Sequence, residues 1–442
     1  MGMVGPDEPR YADVGRAMAI SGDWVTPRLW GQPWFEKPAL LYWMTASGFK
    51  LGLNADLAPR LPVALLSLAF LAFFWYRVKS EWGNATANCA VGILATSAGW
   101  LTYSQVAVTD LPLAVFFSAA VLLSLPWIGR GETRGLTPAA ACLGLAVLAK
   151  GLVPLVLFLP ILVLRFRRVF DWLRTGPILA FSLIALPWYI LCTMRNGTEF
   201  LRVFFIEHHF QRFTAAGLQH VQPWWFYLPI LLVLLFPWFP LLTLIRLRDD
   251  DRRFRAVAAV LLFGLLFFSV AVNKLPGYLL PLLPSASILM GSALARKGIR
   301  SPILMAILTT SMALLGILPV AGRVAPEALA HGLRSANFPW VSTAEGVLVA
   351  GAIALGLFRL PEIRRDIGLT AFFISGLALL MFEATVFPRF DAVASARPIW
   401  TSTHPECSPR LSRATLYGLY YYAGRSLPEC TVLDPAELRV VR

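Results

Sequence analysis

Long apolar runs recur along almost the whole chain, and they restrict it to one kind of fold. About twelve follow one another, at residues 60–77, 86–105, 108–128, 137–149, 151–166, 176–193, 225–246, 254–272, 277–295, 301–321, 342–359 and 367–386. A helix needs about 20 apolar residues to cross a hydrocarbon layer. A backbone in lipid must satisfy its own polar groups, which helices do within one segment. The expected fold is an all-α polytopic membrane protein. The fourth and fifth runs are short and meet at Lys150-Gly151, as one broken helix pair or a tight hairpin. Three regions follow: an opening loop at 1–59, a membrane core at 60–386, and a short tail at 387–442.

Composition agrees. Hydrophobic residues make up 57% of the 442 positions and charged residues 14%, more apolar surface than a water-soluble core requires. The net charge of +14 does not indicate nucleic acid, because the basic residues lie between apolar runs and form no solvent face. They act as topology signals, with anionic lipid or phosphate as the second partner.

Those basic residues orient the chain. Nineteen of the 39 Lys and Arg residues fall in the loops after the odd-numbered runs, and seven in the five interior loops opposite. The positive-inside rule places the nineteen in the cytoplasm. The opening loop and the tail are then both extracytoplasmic. That outer face collects Asp7, Glu8, Glu36, Lys37, Asp110, Lys150, Glu207, His208, His209, Arg212, His220, Lys274 and Tyr278. Asp110, Lys150 and Lys274 stand in short turns among Leu, Pro and Gly, poor places for idle charge.

Within the opening loop, Pro9 to Ile20 has an amphipathic pattern, with Tyr11, Val14 and Met18 on one face. Residues 39–53 are more apolar and form a second helix in the membrane interface. Between them, Gly22-Asp23-Trp24, Pro27-Arg28 and Gly31 force turns. This pair of helices puts Asp7 and Glu36-Lys37 at the boundary between water and lipid.

Seven motifs on this face carry a resemblance: D-E-P-R-Y-A at 7–12, G-D-W-x-x-P-R at 22–28, F-E-K-P at 35–38, T-D-L-P at 109–112, A-K-G at 149–151, E-H-H-x-x-R-F at 207–213 and K-L-P-G-Y-L-L-P at 274–281. In this order the chain resembles the GT-C superfamily of integral-membrane glycosyltransferases. The branch it resembles is the bacterial one of the lipid A aminoarabinose transferase and the protein O-mannosyltransferases. The resemblance implies a GT-C fold in the bacterial inner membrane with a site facing the periplasm or exterior. It also implies a polyprenyl-phosphate sugar donor, transfer with inversion, and a lipid, glycan or protein acceptor.

By the same resemblance, Asp7, with Glu8 beside it, stands at the catalytic carboxylate as general base or organiser of the sugar. Lys37, Arg212 and Tyr278 stand at donor-phosphate positions, and Lys274 adds charge in the same turn as Tyr278. Asp110, Arg10 and Arg28 are expected to shape the site. Glu36 and His208 are expected to meet, as a hydrogen-bonded pair or as ligands of a divalent metal suited to nitrogen and oxygen donors such as zinc. No cofactor is otherwise implied.

The tail holds Cys407 and Cys430, and an exported location favours a disulfide between them. Cys89, Cys142 and Cys192 fall in spans and act as small apolar residues. Near Leu416–Tyr422 the tail alternates like a strand between Gly and Pro. The resemblance places a larger soluble domain after the last span and a hydrophobic helix before the D-E motif, where only Met1 to Pro6 precede Asp7; a missing first helix is the expectation. Two rival classes are a transporter or flippase of lipid-linked sugars and an envelope scaffold. A transporter would place its charges at mid-membrane on broken helices.

Overall fold

The computed structural model describes residues 1–211, 221–245, 250–296, 301–331, 337–360, 363, 366–408 and 410–430. Among the described residues, eight helices are long and apolar enough to cross a membrane: Leu57–Ala95, Asp110–Arg130, Thr175–Phe204, Arg252–Val270, Pro276–Arg296, Pro302–Pro326, Trp340–Leu357 and Ile367–Ala394. Shorter apolar helices occupy Leu136–Lys150, Val153–Leu164 and Trp224–Leu234. Asp110–Arg130 and Pro276–Arg296 are buried among the others, whereas Trp340–Leu357 runs along the rim with its apolar side chains outward.

The first long helix is not straight. Gly83 takes φ 85° and ψ 173° inside it, in a region open to glycine. Trp75 Nε1 donates to Asn88 Oδ1 at 2.8 Å across this point. In a continuous helix those residues would stand about 20 Å apart, so the chain folds back at Gly83. This is why two apolar runs appear in the sequence where one helix is traced. The second run ends earlier than expected, with a break at Thr96-Ser97 before the short helix Ala98–Tyr103.

At the far end of the bundle, Glu81 is buried and draws three arginines. Arg77 lies 3.3 Å from it, Arg130 3.1 Å and Arg253 3.1 Å. Removing such an acid would leave three cations against one another in a partly dry setting.

The opening loop forms its two expected helices, Asp7–Ser21 and Leu40–Lys50, joined through a two-residue hairpin in which Arg28–Leu29 pairs with Gln32–Pro33. The hairpin turns at Trp30 (φ 51°) and Gly31 (φ 82°). The helices touch closely at Gly15, where a Cβ would come within 2.5 Å of the Thr45 side chain. Any larger residue would push the first helix, with Asp7 and Arg10 on it, off the second.

The strand-like alternation at Leu416–Tyr422 is an α-helix instead, Arg413–Ala423. Ser412 caps its start by accepting from Thr415 N at 3.3 Å, and Gly424 closes it in the left-handed region at φ 74°. Tyrosines at 417, 420 and 421 then share neighbouring faces at helical spacing, which outweighs their preference for strands. The helix packs on the opening loop: Tyr421 donates to the Ala55 carbonyl, and Tyr422 to Asp56 at 2.7 Å. Cys407 and Cys430 are joined by a disulfide, as expected, beside a parallel bridge from Ser408 to Glu429.

Candidate functional site

Two acidic residues begin the opening helix, where the positive end of its dipole favours them, yet their surroundings differ. Glu8 is fully buried. Its carboxylate holds Arg60 bidentately, with Nε and Nη2 each at 2.7 Å. It also accepts from Val4 N at 2.8 Å and Ala107 N at 2.9 Å. Four donors fill its four lone-pair positions, so Glu8 has none left for a substrate. The Asp7 side chain is 34% exposed and is gripped by Arg10. Glu36, by contrast, is 8% exposed, so Asp7 is the carboxylate of this cluster that a substrate can reach.

Arg10 organises the next layer. Its Nη1 lies 3.3 Å from Glu36 Oε2, and its Nε donates to the Pro6 carbonyl at 2.9 Å. Its guanidinium lies between two rings, 5.4 Å from Trp34 and 5.4 Å from Tyr417 of the tail helix. Burial opposes its charge, but Glu36 and Asp7 outweigh burial and raise its pKa above the ordinary arginine value. Lys37 Nζ reaches Glu36 Oε1 at 3.2 Å. Tyr11 and Tyr42 lie behind this network with ring centres 6.0 Å apart, and both phenols are pushed well above their usual pKa, chiefly by burial and then by Glu36.

A second cluster gathers at the start of the helix Asp110–Arg130. Lys150 Nζ donates to Asp110 Oδ1 at 2.6 Å and sits 4.5 Å from the centre of the Tyr278 ring. A Cβ on Gly277 would lie 2.6 Å from Asp110 Oδ1 and 2.8 Å from the Tyr103 hydroxyl, so the backbone before Tyr278 closes onto the acid. The two clusters are joined by the bond from Ala107 N to Glu8. Ala107 precedes Asp110 by three residues, a reach of at most about 11 Å of extended chain.

The remaining sequence candidates are placed differently. Lys274 is buried and directs its ammonium to the backbone carbonyls of Gln222, at 3.0 Å, and Ala271, closing its own turn. Arg28 donates to Gly31 O at 3.4 Å and braces the hairpin. Arg212 lies outside the described residues, as does the side chain of His208, whose backbone belongs to the π-helix Arg202–Gln211. Among the described residues no group of three or more His, Cys, Asp or Glu side chains could hold a metal ion. Glu36 meets Arg10 and Lys37, and its expected meeting with His208 lies outside the described residues.

Four contributors were not among the site residues read from the motifs. Lys150 was legible as a charge in a turn of apolar neighbours, but its partner Asp110 is 40 positions away. Arg60, Trp34 and Tyr417 carry no local signal, since each acts only through the folded contact.

Comparison with known proteins bears on the fold and on what the chain is similar to. Residues 2–197 match the dolichyl-phosphate-mannose-protein mannosyltransferase family. An undecaprenyl phosphate-alpha-4-amino-4-deoxy-L-arabinose arabinosyl transferase of Pseudomonas fluorescens is 33% identical over 317 residues, which are 65% of this chain and 52% of that protein. The counterpart in Edwardsiella ictaluri is 35% identical over 312 residues, covering 66% of this chain and 55% of the relative. The chain thus spans about half the length of the curated relatives it matches. The crystal structure of ArnT from Cupriavidus metallidurans bound to undecaprenyl phosphate superposes with a TM-score of 0.76 at 26% identity, over 99% of this chain and 83% of that one. The arabinosyltransferase EmbB of Mycobacterium smegmatis shares the fold alone, at TM-score 0.55 and 13% identity over 96% of this chain and 41% of that one. The resemblance in the motifs therefore holds: the chain has a GT-C fold of the multi-pass membrane type and is similar to the aminoarabinose transferases.

Proposed function

We propose that this chain is a membrane glycosyltransferase that moves a sugar from an undecaprenyl-phosphate donor to an acceptor at the outer face of the bilayer. The observation that carries the reading is the half-open Asp7 carboxylate, held by Arg10, which also meets Glu36 beside Lys37. The opening helix is tied through Glu8 and Ala107 to the segment before Asp110, whose cluster holds Lys150 and Tyr278. A phosphate leaving group needs cations and hydroxyl donors, and an acceptor hydroxyl needs a reachable carboxylate. In this reading the acceptor oxygen attacks the anomeric carbon from the side opposite the phosphate, and the bond from that carbon to the phosphate oxygen breaks with inversion. Asp7 takes the acceptor proton or orients the sugar. Lys37 and the Tyr278 hydroxyl stabilise the departing phosphate, with Arg212 joining them. Glu8 serves as a tie between the opening helix, Arg60 and the chain before Asp110, and Lys274 shapes the turn that presents Tyr278.

The donor class follows the relatives, an aminoarabinose-type pentose on undecaprenyl phosphate, and the acceptor is a lipid with lipid A first in line. The fold-back at Gly83 and the three shorter apolar helices complete twelve spans, with the opening loop on the periplasmic side and the Glu81 arginines in the cytoplasm. Charges at helix ends, paired as described, do not favour the transporter reading.

The test is a glycolipid profile of cells with and without the gene, and with Asp7→Asn. Loss of one sugar-modified lipid on deletion, not restored by Asp7→Asn, is the expected result. Full restoration by that variant overturns the role of Asp7, and an unchanged profile on deletion overturns the lipid acceptor.

A further inference from the structure

The end of the bundle opposite the candidate site carries a cluster of cations without carboxylate partners among the described residues. The helix Asp110–Arg130 runs from the site to this end, about 30 Å away by its 21 residues. Beyond it, a Cβ on Gly131 would lie 2.8 Å from Arg168 Nη1 and 3.0 Å from Arg165 Nη1. The two nitrogens are therefore within about 6 Å of one another, the sum of those distances. Arg252, the first residue of the helix Arg252–Val270 at the positive end of its dipole, adds to the repulsion on Arg165.

Three of the acids around this cluster are engaged elsewhere, and a fourth, Asp250, is exposed. Asp171, which alone among the described carboxylates opposes that repulsion appreciably, holds Arg174 at 2.8 Å and accepts from Trp127 Nε1 at 3.0 Å. Asp251 is taken by Arg253 at 2.8 Å and Glu132 by Arg130 at 2.5 Å. None of Arg165, Arg168 and Arg252 has a carboxylate partner among the described residues. Gathering three guanidiniums without an anion costs free energy, and two donors this close fit a single phosphate with contacts of about 2.8 Å to each.

The same segment identifies the source of that phosphate. Phe166–Leu173 is a short 3₁₀ helix pinned inward by Trp172, whose ring lies 5.1 Å from Phe158 and 6.1 Å from Trp127. Its Phe166, Phe170 and Leu173 point outward and are exposed, interleaved with the arginines. Exposed apolar side chains beside unpaired arginines match a headgroup above acyl chains rather than a free ion.

We infer that Arg165, Arg168 and Arg252 form a binding site for the phosphate headgroup of an anionic membrane lipid, on the face opposite the candidate active site. Binding there anchors the segment 165–174 to the lipid surface and fixes the loop that joins the fifth apolar run to the sixth.

Native mass spectrometry of the purified full chain, with phosphatidylglycerol and phosphatidylcholine in competition, reads this directly and needs no activity assay. The expected result is a preference for phosphatidylglycerol on the order of a hundredfold, from about 1 kcal/mol for each of three basic residues at the surface. The triple variant R165A/R168A/R252A reduces it towards parity, R165K/R168K/R252K retains most of it, and Lys79→Ala at the same end leaves it unchanged. Arg168 is exposed, so Arg168→Gln alone, expected to lower the preference several-fold, reads the site if the triple variant does not fold. An unchanged preference in R168Q and in the triple variant overturns the site. Displacement of the lipid by inorganic phosphate, with equal occupancy by phosphate alone, overturns the lipid as its ligand.

Discussion

Lys150 and Asp110 form a pair at 2.6 Å across 40 positions of sequence, with side chains only 12% and 15% exposed. Removing one partner leaves the other charged in a dry turn. Lys150→Met and Asp110→Asn are each expected to cost about 3 kcal/mol. The double variant should cost less than the sum, with a coupling of at least about 1 kcal/mol. Unfolding midpoints of the two single variants and the double one, in one detergent, check this.

Asp7 and Glu8 are neighbours with opposite expected phenotypes. Glu8→Gln removes the charge from a fully buried acid and strands Arg60, so it should lower stability by about 3 kcal/mol or more. Asp7→Asn should unfold within a few degrees of the parent while abolishing the sugar-modified lipid. Thermal unfolding beside lipid profiling separates the two, and a stable Glu8→Gln protein with lost turnover would overturn the assignment of Glu8 as a tie.

Lys37→Ala is expected to insert in the membrane normally and to lose affinity for undecaprenyl phosphate. A hydrogen bond to a charged group contributes about 1.5–3 kcal/mol, which corresponds to roughly a tenfold to hundredfold weaker dissociation constant. Titration of the purified variant with undecaprenyl phosphate, followed by tryptophan fluorescence, measures it.

Cys407 and Cys430 close a loop with a sequence separation of 23. A bridge over a loop of that size stabilises by about 3 kcal/mol. Cys407→Ala should make the tail a substrate for protease at concentrations that leave the parent intact. The apolar core should keep its unfolding midpoint. Limited proteolysis with mapping of the first cut is the measurement.

Asp251 supplies a pH signature. Burial works against its charge, but hydrogen bonds from the Arg253 side chain and backbone and from Trp82 prevail and hold the carboxyl below its ordinary value. The folded state thus binds this proton less readily than the unfolded one. Its stabilisation is fully present above about pH 4 and is lost as pH falls through the lower folded pKa. Asp251→Asn should flatten the acid limb of a plot of unfolding midpoint against pH.

The helices of the opening loop and the membrane class were legible because amphipathic spacing and long apolar runs are local signals. Cys407 and Cys430 were legible by location, as the two cysteines outside the apolar runs. The pairings that build the site were not: Arg10 meets Glu36 across 26 positions and Glu8 meets Arg60 across 52. A charge can be seen in a sequence, but its counter-charge is chosen by packing. The helix at Arg413–Ala423 was misread because its tyrosines favour strands by propensity, while Ser412 and Gly424 set its limits.

Tyr417 lies over Arg10, Trp30 packs on Tyr417 and Tyr420 at 5.2 and 5.1 Å, and Tyr421 reaches Ala55. A ribosome makes the second partner of each contact at least 366 residues after the first. The opening loop therefore waits, exposed at the membrane surface, while the intervening helices insert. Biogenesis thereby acquires a checkpoint: a chain stalled before residue 413 leaves Arg10 with the Trp34 ring alone, until the helix Arg413–Ala423 brings Tyr417.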